Sequence, residues 1–351
     1  MNKSTLSRLV EPLREMLGQY DFIIRGFRER SGMKIAALTC DILPVEIVSC
    51  LGLLPLRLPS FITGCCVAEG VPALGSLAGA YDCLVVPDGC TGRGAIGTPG
   101  VPVRGFAYPS GWGEAARRGM ESALDALMRG EGLPGLAALD RDRLRAATIE
   151  HNAFRRLARG IATVRRDKPD CLSNADLSVV FEAAAVFPPS VAGPHLAALL
   201  EALNRAESAG AAGLVPCLVY ASFAGEAALF DAIEDAGCLV AEDDACGGRR
   251  ELDMSYNHEA PDLTGEILDA FSYRPRCPSC RPLGERVDLF YSQLKSHGIE
   301  AVIIVEDLCC AARKRDIEAL RVRLMRAGVD PLVVASSDAA EKVREYVKRA
   351  G

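Results

Sequence analysis

Apolar and polar positions divide the chain into two blocks of short strands and helices, with a long helical stretch between them. Residues 3–30 mix charged and apolar positions at the spacing of an amphipathic helix, and Gly32 ends that pattern. Met33 to Thr39 is a mainly apolar run that reads as a buried strand delivering Cys40 at its tip. Asp41 to Pro44 turn the chain. Val45 to Leu51 suit a short helix, with Pro44 where a first turn tolerates proline. Leu53 to Leu58 and Tyr81 to Pro87 read as the next two strands. Val101-Pro102-Val103 reads as a fourth, and its proline places it at an edge.

From Glu114 to about Ala206 the spacing is helical, broken near Gly130–Pro134, Lys168–Pro169 and Pro188–Pro189. Leu214 to Tyr220 starts a second block, followed by a helix to about Ala236 and a strand at Cys238 to Ala241. Ala301 to Val305 is a further strand, Arg313 to Ala327 a charged helix, and Pro331 to Ala335 a last strand. Strands alternating with helices indicate α/β architecture with parallel sheets. The expected division is an N-terminal helical arm at 1–32, a first lobe at 33–113, a helical segment at 114–212 and a second lobe at 213–351.

Composition narrows the field of functions. A hydrophobic content of 49% beside 25% charged residues gives a globular chain with ample core material. A net charge of -6, with no basic run, argues against a nucleic-acid partner. Aromatic residues are only 6%, too few for base-stacking platforms. The apolar runs are far too short to span a membrane, and the N-terminus lacks the apolar core of a signal peptide. The expected home is a reducing cytoplasm, where free thiols persist.

Fourteen cysteines change the picture. Cys65-Cys66 and Cys309-Cys310 are adjacent pairs, and Cys277 and Cys280 form a Cys-x-x-Cys. Cys40, Cys90 and the 309–310 pair each follow the carboxyl end of an expected strand, where open parallel sheets bind ligands. Cys65-Cys66 follows another. Both lobes can therefore aim thiolates at one cleft, and soft thiolates select zinc, copper(I) or iron–sulfur clusters. Zinc normally draws on paired Cys or Cys/His knuckles, and the four histidines show no such spacing. Cys50, Cys83, Cys171, Cys217 and Cys238 read as small buried hydrophobes inside helices or strands. No Walker loop is present, and Gly92-Arg93-Gly94 is too short a signal for phosphate.

Five stretches resemble a known family. These are Met33 to Ile47 with its Cys-x-x-x-Pro-x-Glu turn, Gly52 to Leu58, Gly79 to Cys90, Glu242 to Arg249, and Leu308-Cys309-Cys310 with the helix from Asp316 to Gly328. In that order they are similar to the cluster-bearing subunits of 2-hydroxyacyl-CoA dehydratases, to benzoyl-CoA reductase subunits and to double-cubane cluster proteins. The resemblance implies two Rossmann-like lobes with a [4Fe–4S] cluster in the cleft between them. By position, Cys66, Cys90 and Cys310 are the implied ligands, with Cys65 and Cys309 as the other member of each doublet. Cys40 and the doublets also leave room for a double-cubane cluster.

The family further implies a separate ATP-dependent iron–sulfur activator, pairing of related subunits as a homo- or heterodimer, and one-electron radical chemistry on an acyl-CoA thioester. The chain departs from the family pattern in a compressed segment between Cys66 and Cys90, in Cys66-Val67 for Cys-Pro, and in Cys90-Thr91 for Cys-Asp. Glu46 and Arg93 are the candidate catalytic groups, with Asp88, Asp243, Asp244 and Arg249 as further polar residues near the cleft. Glu46 reads either as a surface helix carboxylate or as a group orienting the loop at Cys40. Asp243-Asp244 read as folding a turn around Cys246. His151-Asn152 and Arg155 resemble a helical Asn-x-x-Arg stretch that packs between lobes. The alternatives are a reductase of small unsaturated molecules, a non-catalytic cluster carrier or activation factor, and a zinc-stabilised binding protein.

Overall fold

A computed structural model of the chain describes residues 3–59, 79–88, 100–109, 111, 113–223, 227–249, 252, 254–273, 282–306 and 311–350. Strands β1 (Lys34–Leu38), β2 (Leu53–Arg57), β3 (Cys83–Pro87) and β4 (Val103–Phe106) form one sheet in the order β2-β1-β3-β4. All its pairings are parallel, with Ile35 opposite Leu54, Ala37 opposite Leu84 and Val85 opposite Arg104. Strands β5 (Val215–Phe223), β6 (Cys238–Cys246), β7 (Ala301–Val305) and β8 (Leu332–Val334) form a second parallel sheet in the order β6-β5-β7-β8. The two orders are the same when each is counted from its own first strand, so the molecule is an α/β fold with two Rossmann-like sheets.

In each sheet the chain steps outward to one side, then returns and continues on the other. The reversal falls between β1 and β3 in the first sheet and between β5 and β7 in the second. Crevices for ligands open outside the carboxyl ends at such points. Strands β1, β3 and β7 are almost wholly apolar because helices cover both faces. Pro102 precedes β4, which occupies the edge, where a missing N–H is tolerated.

The N-terminal stretch forms two helices rather than one, α1 (Lys3–Gly18) and α2 (Tyr20–Ser31), parted at Gln19. Gly32, at φ 65°, closes α2 by donating its N–H to Arg28 O. Helix α1 places Leu6, Val10 and Leu13 on one face, all fully buried. Helix α3 (Val45–Cys50) follows the turn after β1. The middle of the chain is α4 (Glu114–Gly130), α5 (Arg141–Asp167), α6 (Asn174–Val186) and α7 (Pro189–Arg205). Asp140 caps α5 by accepting from Arg143 N at 2.8 Å, and Ser173 caps α6 through Asp176 N. Pro189 opens α7 at the position proline favours. Asp176 ties α1 down by accepting from Ser7 Oγ at 2.8 Å and from Arg14 at 3.0 Å.

Helices α8 (Ala227–Asp235), α9 (Leu263–Tyr273), α10 (Leu283–Ser296), α11 (Ala311–Arg326) and α12 (Ala339–Ala350) complete the described elements. One core joins α1, α2 and α5–α7 to one face of the first sheet, and another fills the second sheet's surroundings. The core on the other face of the first sheet contains Ile47, Met120 and Leu124 together with Leu263, Ile267, Leu268 and Phe271 of α9. Helix α9 thus lies after β6 in sequence but packs on the first sheet. Burying side chains of this size contributes about 1.5–3 kcal/mol each. No helix among the described residues is long and apolar enough to cross a membrane.

Candidate functional site

The loops implicated by the cysteines leave the sheets at their carboxyl ends. Cys40, half-buried, lies just beyond β1 at the first sheet's reversal point. Cys65, Cys66, Cys90, Arg93, Cys277, Cys280, Cys309 and Cys310 lie outside the described residues; strands β2, β3 and β7 are described. Asp88 follows β3, is exposed, and donates its N–H to Phe106 O at 3.1 Å. Among the described residues, no group of three or more His, Cys, Asp or Glu side chains could hold a metal ion.

A cavity of about 110 Å³ opens at the carboxyl ends of β1 and β2. Its walls are mostly apolar, with Leu38, Leu54, Leu56, Phe154 and Phe187 among them, and Leu252, Met254 and Tyr256 also line it. Glu46, His151 and Arg155 supply polar atoms to the lining. Glu46 is fully buried, which overturns its reading as a surface carboxylate. Helix α3 is short and packs against α5, so a side chain in its first turn points into the protein. Arg155 Nη2 stands 2.6 Å from Glu46 Oε1. Burial opposes the charge on Glu46, but Arg155, His151 and the residue's own backbone amide outweigh it and hold the carboxyl below its usual range.

Arg155 has further partners. Its Nε donates to Met254 O at 3.0 Å and its Nη2 to Asn152 Oδ1 at 3.0 Å, and its guanidinium stacks 5.1 Å from the centre of the Tyr256 ring. Asn152 Nδ2 donates to Tyr256 O at 2.8 Å, while Asn152 Oδ1 accepts from Tyr256 N at 3.1 Å. This amide pairs with Tyr256 as a strand neighbour would, fixing the 254–256 segment to α5. Asn152 and Arg155 therefore join α5 to the connection between β6 and α9. His151, one turn before Arg155 on the same face, is held below its ordinary pKa by burial, against the pull of Glu46. Its imidazole is neutral at pH 7.

The carboxyl end of β6 is organised differently. Asp243 and Asp244 belong to the strand, not to a turn, because β6 continues to Cys246. Asp243 still shapes the following turn, as Oδ2 accepts from Arg249 N at 3.2 Å. Gly247 adopts φ 75°, which favours glycine, and a Cβ on Gly248 would stand 1.7 Å from Asp243 Oδ1, so a side chain there must displace that carboxylate. Arg249 is buried, 3.8 Å from Glu242, which also meets His297 Nδ1 at 3.2 Å. Asp244 instead joins two buried arginines. Its Oδ2 accepts from Arg286 at 3.2 Å and its Oδ1 from Arg313 at 3.2 Å. Arg286 also bonds Asp316 at 2.5 Å, and Arg313 lies 4.9 Å from the centre of the Tyr220 ring. Sequence reasoning missed both arginines. The one available signal was the place of Arg313 in the first turn of a helix that follows a cysteine pair.

Of the remaining described cysteines, Cys83, Cys171, Cys217 and Cys238 are buried, whereas Cys246 and Cys50, expected as a buried hydrophobe, are half-buried because Cys50 stands at the end of the short helix α3. Burial pushes the Cys83 thiol up to about 12 and the fully buried Cys217 thiol well above its ordinary value. Cys171 lies in the bend between α5 and α6, not within a helix, and is 3% exposed. Its Sγ donates to Glu207 O at 3.5 Å.

Two parallel sheets of the same strand order, joined by cysteine-rich connecting segments, define an α/β protein with two Rossmann-like sheets. Residues 95–349 match the family described as 2-hydroxyglutaryl-CoA dehydratase, D-component, and the chain belongs to that family. A search among curated proteins found no match.

Proposed function

We propose that this chain is the cluster-bearing component of a 2-hydroxyacyl-CoA dehydratase-type enzyme. The observation that carries the reading is family membership in a chain whose loop cysteines follow parallel strands. All-thiolate donors suit iron–sulfur clusters. Cys66, Cys90 and Cys310 would hold a [4Fe–4S] cluster, with Cys65, Cys309 and Cys40 beside them. When bound, such a cluster supplies single electrons at low potential. A separate ATP-dependent activator delivers the electron, since this chain has no Walker loop.

The net reaction on a 2-hydroxyacyl thioester is loss of water. The C2–O and C3–H bonds break, a C2–C3 double bond forms, and hydroxide and proton leave as water. The chain's own residues serve that reaction in three ways. Apolar walls around the cavity exclude water and strengthen electrostatic interactions inside it. The Glu46–Arg155 pair fixes α3 to α5 at the cavity's edge. His151, neutral at pH 7, can accept or donate a proton at an imidazole nitrogen.

Purification without oxygen, followed by iron and acid-labile sulfide assays, tests the cofactor. Addition of activator, ATP and reductant, with mass detection of an enoyl thioester, tests the reaction. Several irons per chain and turnover support the reading. A colourless protein with stoichiometric zinc overturns it. A second reading, a double-cubane-type reductase of small unsaturated molecules, draws support from Cys40, which follows β1, the strand paired with the β2 that precedes Cys65-Cys66.

A further inference from the structure

The 110 Å³ cavity is small, mostly apolar and lined by residues from both halves of the chain. Cavities of about 150 Å³ lined by aliphatic and aromatic side chains take a benzene ring. By proportion, this one holds about four to five non-hydrogen atoms. An aryl group with its linker exceeds that.

The charges in the lining matter as much as the volume. A second carboxylate on an acyl chain needs a cation to meet it, because burying an unpaired charge is costly. Arg155 is already committed to Glu46, Met254 O and Asn152 Oδ1. Arg57 also has partners of its own. Asp41 and Glu46 balance Arg57 and Arg155 in the lining, which leaves no net positive charge to draw in a carboxylate. His151 is left as the neutral hydrogen-bonding group, able to meet a hydroxyl or a carbonyl oxygen.

We infer that this cavity receives a short, uncharged aliphatic acyl chain, with His151 facing its polar end. The inference takes its ligand class, an acyl thioester, from the dehydratase reading, and it excludes ω-carboxylated and aromatic acyl groups as substrates of this chain.

The test is isothermal titration of the full chain, purified without oxygen, with free CoA, butyryl-CoA, glutaryl-CoA and phenylacetyl-CoA. Butyryl-CoA should bind at least tenfold more tightly than free CoA, with glutaryl-CoA and phenylacetyl-CoA within about threefold of free CoA. Ala185 lines the cavity, and Ala185→Leu should return butyryl-CoA to the free-CoA level while leaving free-CoA binding unchanged, which also reports that the variant is folded. The His151 imidazole resonance should move with butyryl-CoA and not with CoA. Equal binding of butyryl-CoA and CoA by the unaltered protein overturns the inference, as does tightest binding of glutaryl-CoA. Tight butyryl-CoA binding by a protein that carries no iron and turns over nothing leaves the pocket standing and removes the dehydratase reading. Iron, sulfide and turnover on glutaryl-type substrates alone do the reverse.

Discussion

Replacing Arg155 with methionine keeps the apolar stem and removes the charge that faces Glu46. The two side chains are 11% and 1% exposed and meet at 2.6 Å, so little solvent is available to take over. Breaking a buried pair by removing one partner costs about 3–5 kcal/mol, because the remaining charge is stranded. Urea denaturation followed by circular dichroism at pH 7 should show a loss of that size. The pH dependence identifies the cause. In the unaltered protein the Glu46 carboxyl titrates below its usual range, so its contribution is present above the unfolded value and is lost as pH falls through the folded one. Without Arg155, burial dominates and pushes the carboxyl above its unfolded value. The folded variant then binds more protons than the unfolded chain between those two values, and its stability falls as pH rises through that window. The deficit relative to the unaltered protein is therefore smaller near pH 4 and larger at pH 7. Adding Glu46→Gln to the Arg155→Met variant removes the stranded charge and should recover about 1–3 kcal/mol. A deficit below about 1 kcal/mol, flat with pH and untouched by the second substitution, would refute the claim that Arg155 holds the buried carboxylate.

Three other outcomes follow from the same geometry. Gly248→Ala sets a methyl against Asp243 Oδ1, at 1.7 Å before relaxation, and breaks the bond to Arg249 N; it should cost about 1–3 kcal/mol, read as a lowered melting temperature. Asp244→Asn leaves the fully buried Arg313 without its carboxylate, and equilibrium unfolding should show a loss of about 3–5 kcal/mol. Cys90→Ala should abolish or greatly deplete bound iron, whereas Cys171→Ala, at a buried bend, should leave iron and sulfide content unchanged; equal iron in both variants would reject the ligand assignment.

Strands β1, β3 and β7 were the most legible part of the sequence because they are buried and read as nearly unbroken apolar runs. Ala301 to Val305 is an example in which the run and the strand coincide. The breaks in the helical middle were legible for a different reason: Pro134, Pro169 and Pro188-Pro189 forbid helix continuation locally. What the sequence hid depended on partners distant in the chain. Glu46 reads as a surface carboxylate until Arg155, more than a hundred residues later, is placed against it. Asp244 looks like a turn residue because aspartate is a poor strand former, and the arginines that keep it in β6 arrive from α10 and α11. The break at Gln19 follows Gly18, a single glycine that the apolar spacing of 3–30 runs straight through. Helix α9 gives no local sign that it packs on the first sheet and not on the second.

The two sheets share a strand order, yet their carboxyl ends carry unlike chemistry. The first offers a small apolar cavity with one internal ion pair. The second offers Asp244 between Arg286 and Arg313, with Tyr220 and Asp316 completing the cluster. Buried arginines are costly to desolvate, and each is tolerated here because it is paired and hydrogen-bonded. Such a network has few alternative arrangements, so it holds the starts of α10 and α11 rigidly against β6. An apolar cavity, by contrast, adapts to what enters it by small side-chain movements. The second sheet thus carries a fixed polar network at its carboxyl end, while the first carries a mostly apolar hollow. A shared strand order therefore does not imply shared chemistry: the backbone sets where the loops emerge, and the side chains at those ends set what each end can contact.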